Sequence, residues 1–321
     1  MEDTITTHLS PGYMTTTYSE PEEYNNFLCK RPSYTVLIIA GVCICISACG
    51  LVGNVMVVWL LGFRMKFSPF TVYVLNLAIA DFSLLLILLA KLTLYIITSV
   101  SCIDLEDFKL SNTTLFIMFL VCYLAGMYLL TAMSMDRCLA ALFPVWYRCH
   151  RSKHGSAILC VVLWALAVLF VALVFVPCFL NEEHYHITFV FIIVNFVLFS
   201  FFPLLSNLAL FIKLRCGSQR RHPGKIYVAV LLSVIFLVVL GFPFSVETLL
   251  SRFQTQVFYL SFLLASLNSS INPIIYFLVG SCRHQRFQCS LKVAFRRMFE
   301  EEATSEERSQ VPGDAVMETN V

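Results

Sequence analysis

Asp81 interrupts the apolar stretch Pro69–Tyr95 near its midpoint. A carboxylate at the centre of a membrane-crossing helix costs roughly 2.5–3.5 kcal/mol, so it must have partners. Asn54, Asn268, Ser269 and Asn272 lie at similar depth in two other apolar stretches. Such groups can hold helices together through hydrogen bonds. They can also form a small polar chamber that takes water or a cation and shifts between two packings. The two readings are compatible. Asp136-Arg137-Cys138 lies near the end of the apolar run Leu115–Phe143, just before a basic connector. An arginine there can snorkel to an interface. An acid directly before it, inside an apolar helix, also suggests an ion pair that opens. Asn272-Pro273-Ile274-Ile275-Tyr276 ends the last apolar run. Proline removes one helix hydrogen bond and leaves a flexible point, from which Tyr276 can swing its hydroxyl. Pro203 and Pro243 interrupt two further runs. These residues suit electrostatic switching. No convergent nucleophile and base or metal-ligand cluster suggests bond-making, so an enzyme is not expected, nor is any cofactor beyond a cation near Asp81.

The elements that carry these residues are read from hydropathy. Hydrophobic residues make up 59% of the 321-residue chain and charged residues 13%, against roughly 25% charged in soluble domains. Runs long enough to cross a bilayer, about 20 apolar residues, occur at Tyr34–Gly62, Pro69–Tyr95, Leu115–Phe143, His154–Phe179, Ile187–Leu214, Ile226–Leu250 and Val257–Gly280. Each is apolar around its whole circumference, unlike a soluble helix, and none alternates as a barrel strand would. The expected fold is an all-α membrane protein, a seven-transmembrane helix bundle with short connections and therefore antiparallel neighbours.

Lys and Arg placement orients the bundle. Arg64, Lys66, Arg148, Arg151, Lys153, Arg215, Arg220, Arg221 and Lys225 occupy one set of connectors, and Arg283, Arg286, Lys292, Arg296 and Arg297 follow the last span. The other set is richer in acids, with Asp104, Glu106, Asp107, Glu182 and Glu183. The basic side is expected to be cytoplasmic, which puts the N-terminus outside. Residues 1–33 read as a disordered outer tail, 34–280 as the bundle, 281–299 as an amphipathic eighth helix on the inner membrane surface, and 300–321 as a cytoplasmic tail. The first span is expected to serve as the targeting signal, because no short basic and apolar leader precedes it.

Peripheral signals accompany the bundle. Asn112-Thr113-Thr114 is a glycosylation sequon on the expected outer side. Cys282 and Cys289 are juxtamembrane, basic-flanked and suited to acylation. Thr304, Ser305 and Ser309 lie beside acids and suit phosphorylation, and Glu318-Thr319-Asn320-Val321 suits a PDZ-type groove.

Gly53-Asn54, Leu77-Ala78-Ile79-Ala80-Asp81, Asp136-Arg137-Cys138, Trp164, Pro203, Pro243 and Asn272-Pro273-Ile274-Ile275-Tyr276 together resemble the rhodopsin-like (class A) G-protein-coupled receptors across all seven spans. Within that class the chain looks like a Mas-related receptor. The stretches that carry this likeness are Trp59–Met65, Pro144–Arg151, Leu267–Pro273 and Val279–Ser281. Gly241 stands where a tryptophan usually precedes the span-six proline, as the family also has it. The resemblance implies a heterotrimeric G protein, an extracellular ligand and an arrestin as partners. It makes Asp81 the sodium-site carboxylate with Asn272 beside it. It also implies that Arg137 inserts against the C-terminal helix of the G protein once span six swings out.

Asn112 falls where most rhodopsin-like receptors keep a bridging cysteine, and Cys178 matches one half of the family's alternative bridge. Pairing among Cys29, Cys102 and Cys178 stays open. Phe119 lies at pocket depth, where amine receptors carry an acid. Relatives that bind basic peptides use acids near the outer ends of spans four and five, and Leu173–Phe175 and Thr188–Phe191 hold none. Lys91, ten residues beyond Asp81, is about 15 Å nearer the outer side. It can bind a ligand carboxylate or snorkel to headgroups. Lys91, Phe119, Tyr123 and Glu247 form the expected ligand pocket, in which Glu247 can pair with Lys91 in the empty receptor. Competing classes are a ligand-independent membrane protein that modulates other receptors and a transporter. The transporter is disfavoured by the lack of internal repeats and of midplane charges along a path.

Overall fold

The backbone of an apolar run has no water to bond in hydrocarbon, so it must satisfy its own amides, and a helix does so. The computed structural model describes residues 33–63, 68–101, 108–143, 147, 149, 154–180, 190, 193–195, 197–201, 203–208, 212, 225–241 and 255–281. Every element among them is helical. Five helices are long and apolar enough to cross a membrane. These are spans one (Tyr34–Phe63), two (Pro69–Ser101), three (Lys109–Leu142), four (Gly155–Leu180) and seven (Thr255–Ser281). Spans five and six appear as the shorter apolar segments Ile193–Leu208 and Ile226–Gly241. Pro243, Glu247, Cys29, Cys102, Cys282, Cys289, the Cys178 side chain, the expected surface helix and both tails lie outside the described residues.

Spans two and three run further than hydropathy indicates, to Ser101 and from Lys109. Helical hydrogen bonds propagate whether or not the residues are apolar, so an apolar window marks the membrane rather than the helix. Span two also begins with a reciprocal cap. The Thr71 amide donates to Ser68 Oγ at 3.2 Å and the Ser68 amide to Thr71 Oγ1 at 2.8 Å. Pro69, which has no amide to satisfy, fills the first helical position between them.

Span three is the axis of the bundle. Cys122 through Leu130 are buried without interruption, as only a helix surrounded on all sides can be. It packs against spans two and four and against the described parts of five and six. Span four is peripheral. It buries a stripe of Ser156, Cys160, Leu163, Ala167 and Val171, and exposes Ile158, Val161, Val168, Leu169 and Leu173. An apolar surface that open is one that faces lipid. Spans one, two and seven complete the other flank. A Cβ on Gly50 would overlap Ser270 of span seven, and one on Gly53 would come within 3.2 Å of Pro273. Small residues let these backbones approach.

Spans five and six each carry a π-helical turn, Val197–Phe201 and Leu237–Gly241, just ahead of Pro203 and Pro243. Pro203 has no amide to give the Phe199 carbonyl four residues earlier. Thr131 Oγ1 of span three takes over as donor, at 2.6 Å. On span six the Gly241 carbonyl accepts from the Tyr123 hydroxyl, also on span three, at 2.9 Å.

Candidate functional site

The end of span three that carries Arg137 is closed by its own neighbour. Arg137 Nη2 lies 2.6 Å from Asp136 Oδ2, and Nε donates to the same oxygen at 3.2 Å. Tyr147 Oη donates to the other carboxylate oxygen at 2.7 Å. The guanidinium sits 4.3 Å from the Phe70 ring centroid of span two. Each side chain of the pair is only 12% exposed. Cys138 packs with Tyr227 and Leu231 of span six, and Tyr227 donates to the Asn207 carbonyl of span five. Spans five and six are thus drawn against span three beside the arginine. The acid–arginine pair is closed in this packing.

Midway along the bundle, Asp81 is buried and Asn272 Nδ2 donates to its Oδ2 at 2.8 Å. Asn54 Nδ2 reaches across to the Ser269 carbonyl at 3.1 Å and back to the Gly50 carbonyl at 3.0 Å. Spans one, two and seven therefore meet at one polar point. Gly126 of span three backs the carboxylate, since a Cβ there would lie 3.9 Å from Asp81 Oδ1. Asn268 is buried on the same helix as Asn272, but among the described residues no hydrogen bond joins it to Asp81 or Asn54. The Asn54 and Asn272 side-chain oxygens and the Ser47 hydroxyl are buried without a hydrogen bond. Buried oxygens of that kind call for a donor or a hard cation.

At the far end Phe119 is fully buried. Its ring is parallel to Tyr123 at 6.5 Å and edge-on to Phe262 of span seven at 5.1 Å. Lys91 of span two points into this aromatic zone and donates to the side-chain oxygen of Asn112 at 2.5 Å. Three of the four expected pocket residues therefore share one region, and the fourth, Glu247, lies outside the described residues.

The bundle with an acid–arginine pair at one end and a polar point at its centre matches a known family over most of its length. Residues 53–276 match the family described as "7 transmembrane receptor (rhodopsin family)". Human "Proto-oncogene Mas" is 37% identical over 282 residues, 83% of this chain and 84% of that protein. The rat "Mas-related G-protein coupled receptor member X1" is 37% identical over 289 residues, covering 86% and 88% of the two chains. Member X2 from Macaca mulatta is 38% identical over 309 residues, 91% of each. The chain belongs to the rhodopsin-family seven-transmembrane receptors, in the Mas-related group.

For a Mas-related receptor the geometry is instructive where hydropathy was silent. The Asp136–Tyr147 bond is one such case, because Tyr147 reads as one more aromatic at a membrane boundary. Tyr128 is another. Its hydroxyl donates to Asn195 Oδ1 at 2.6 Å and its ring lies 4.3 Å from Phe199, joining spans three and five. Asn195 carried the available signal, an amide within an apolar run. The bond between Tyr123 and Gly241 explains why the receptor has glycine at 241. A Cβ there would stand 2.9 Å from the tyrosine oxygen, inside van der Waals contact. Asn112 is the remaining surprise. It sits in the first helical turn of span three, with its side-chain oxygen on Lys91.

Proposed function

We propose that this Mas-related receptor signals by opening the Arg137 end of the bundle when a ligand binds at the Lys91 end. The basic connectors support a cytoplasmic Arg137 and an outer N-terminus. The observation that carries the reading is the Asp136–Arg137 pair, sealed by Tyr147, with span six packed on the adjoining Cys138. In that packing the guanidinium is occupied. When span six moves away, the same group becomes a donor fork for the C-terminal helix of a G protein. The π-turns of spans five and six give these helices the points about which to pivot. Asn272, Pro273 and Tyr276, with Pro243, form the rest of the switch.

Lys91, Phe119, Tyr123 and Glu247 line the ligand pocket in this reading. Asp81 with the Asn54 and Asn272 oxygens suits Na+, and Asn268 completes the polar wall. Acyl chains on Cys282 and Cys289 would hold the inner-surface helix to lipid. The tail would recruit arrestin through phosphorylated Thr304, Ser305 and Ser309, and a PDZ domain through its last four residues. Asn112 is the glycan acceptor if its side chain leaves Lys91.

A ligand that turns a 1:99 population into 99:1 must bind the open packing more tightly by about 5.5 kcal/mol. The test is guanine-nucleotide exchange on a panel of heterotrimeric G proteins, using full-length receptor in lipid nanodiscs beside Arg137→Ala. Exchange above that of empty discs from at least one subtype, lost in Arg137→Ala, is the expected result. Silence from every subtype would replace this mechanism with that of a membrane protein modulating other receptors.

A further inference from the structure

Lys91 is only 8% exposed. Its ammonium donates to the side-chain oxygen of Asn112 at 2.5 Å and to the Asn112 backbone carbonyl at 3.4 Å. It faces the rings of Phe116 and Phe262, with centroids at 5.4 and 5.9 Å. Tyr259 continues the wall, 6.4 Å from Phe262 and 4.8 Å from Tyr95. Every one of these neighbours is neutral. Among the described residues no carboxylate pairs with Lys91.

A snorkelling lysine buries its stem and leaves its head in water or among headgroups. Here the head itself is covered by rings from spans three and seven. Carbonyl dipoles and ring faces recover part of the desolvation of an ammonium. Full compensation of a buried charge takes an opposite charge. Among the described residues, the group missing from this arrangement is an anion.

The sequon residues are themselves drawn into this arrangement. Asn112 spends its side-chain oxygen on Lys91, and Thr114 bonds back to the Leu110 carbonyl at 2.8 Å. Both side chains make hydrogen bonds within the protein. Asn112 is placed as the residue that aims the ammonium.

We propose that Lys91, positioned by Asn112, anchors an anionic ligand: a carboxylate carried on an aromatic or similarly flat apolar body that lies against Phe116, Phe262, Tyr259 and Tyr95. This deepens the proposed function and rests on its reading of the Lys91 end as the ligand side. The carboxylate belongs to a small acid or to the free C-terminus of a peptide, and the chemistry at Lys91 is the same for both.

The test is thermal unfolding of the full-length receptor in phosphatidylcholine nanodiscs, whose zwitterionic headgroups carry no net charge. Phenylacetate, phenylbutyrate and phenylhexanoate are each compared with their own carboxamide. A short peptide ending in phenylalanine is compared as free acid and as amide. An acid raises the midpoint about 3–5 °C above its amide at saturation. Whichever of the two sets shows the difference identifies the source. Lys91→Met melts no lower than the wild type, because an apolar side chain of similar length replaces an undercompensated charge. It also loses the difference between acid and amide. Asn112→Ala weakens acid binding about tenfold with the lysine in place. Asn112→Asp supplies an internal counter-ion and abolishes the response.

Equal shifts from acids and amides across the whole series would overturn the proposal. So would a difference that survives Lys91→Met. Melting reads binding without a G protein. A receptor that prefers acids yet catalyses no exchange would therefore sink the coupling mechanism and leave the anion site standing.

Discussion

Asp136 holds Arg137 through one short charged contact and is itself held by Tyr147. A hydrogen bond to a charged group contributes about 1.5–3 kcal/mol and a neutral one about 0.5–1.5 kcal/mol. Asp136→Asn weakens the first bond in the closed packing only. It should raise ligand-independent nucleotide exchange by roughly tenfold. Tyr147→Phe removes a donor one step further out and should raise it by about threefold. Both are read in vesicles at matched receptor density, and Tyr147→Phe equalling or exceeding Asp136→Asn would contradict the order. Legibility at this scale follows the cost of a residue in its setting. Asp81 and Arg137 are charges inside apolar runs, and hydropathy alone exposes them. Asn272 follows as the partner such a charge requires, while Asn54 bonds the Ser269 carbonyl instead. Tyr147 and Asn112 are unremarkable where they stand, and their roles come from partners 11 and 21 residues away. Asn112 was legible as a sequon and as the place of a missing bridging cysteine, and neither says anything about a lysine on another helix.

Two glycines of span one separate close packing from helix propensity. Gly50 has Ser270 and Leu85 where a Cβ would go, whereas Gly41 has nothing within 4 Å. Gly50→Val overpacks a full interface and should cost about 1–3 kcal/mol. Gly41→Ala should be neutral or stabilise by up to about 1 kcal/mol. Thermal unfolding of the two variants decides, and equal behaviour would mean that spans one and seven do not meet there. The π-turn of span five gives a sharper case. Thr131 bonds the Phe199 carbonyl that Pro203 cannot serve. Thr131→Val should therefore destabilise the receptor by about 1–3 kcal/mol, the cost of an orphaned buried acceptor. In a Pro203→Ala background the restored backbone amide can take that carbonyl, and Thr131→Val should cost little. A double-mutant cycle on melting measures the coupling, and additive effects would refute it. The prolines were plain in the chain and so was the interruption of both spans. The π-turns were not, because hydropathy records which residues face lipid and holds no information on which amide serves which carbonyl. The number of spans was legible for the same reason that their true ends were not.

Across the whole molecule, Asp81 lies between the Lys91 end and the Arg137 end, and it ties spans two and seven through Asn272. Asn54 ties span one to span seven beside it. A cation held by Asp81 with the Asn54 and Asn272 oxygens would favour the packing that keeps these oxygens converged. A ligand shifts an equilibrium only by the difference in its affinity for the two states. The closed packing is the one in which Asn272 meets Asp81 while Asp136 meets Arg137. Sodium should therefore lower ligand-independent exchange, and the same concentration of potassium should lower it less, because the ion is larger for a site of few oxygens. Asp81→Asn keeps a side chain able to bond Asn272 but removes the charge that draws the cation. It should flatten the sodium dependence and leave exchange measurable. Asp136→Asn should shift the sodium curve without flattening it, because it weakens the closed packing and leaves the chamber intact. The experiment is one set of exchange curves against sodium at constant ionic strength for the wild type and both variants. A wild-type curve as flat as that of Asp81→Asn would mean that the orphaned oxygens are served by water alone. The chamber would then bind the helices together without reporting on the state of either end.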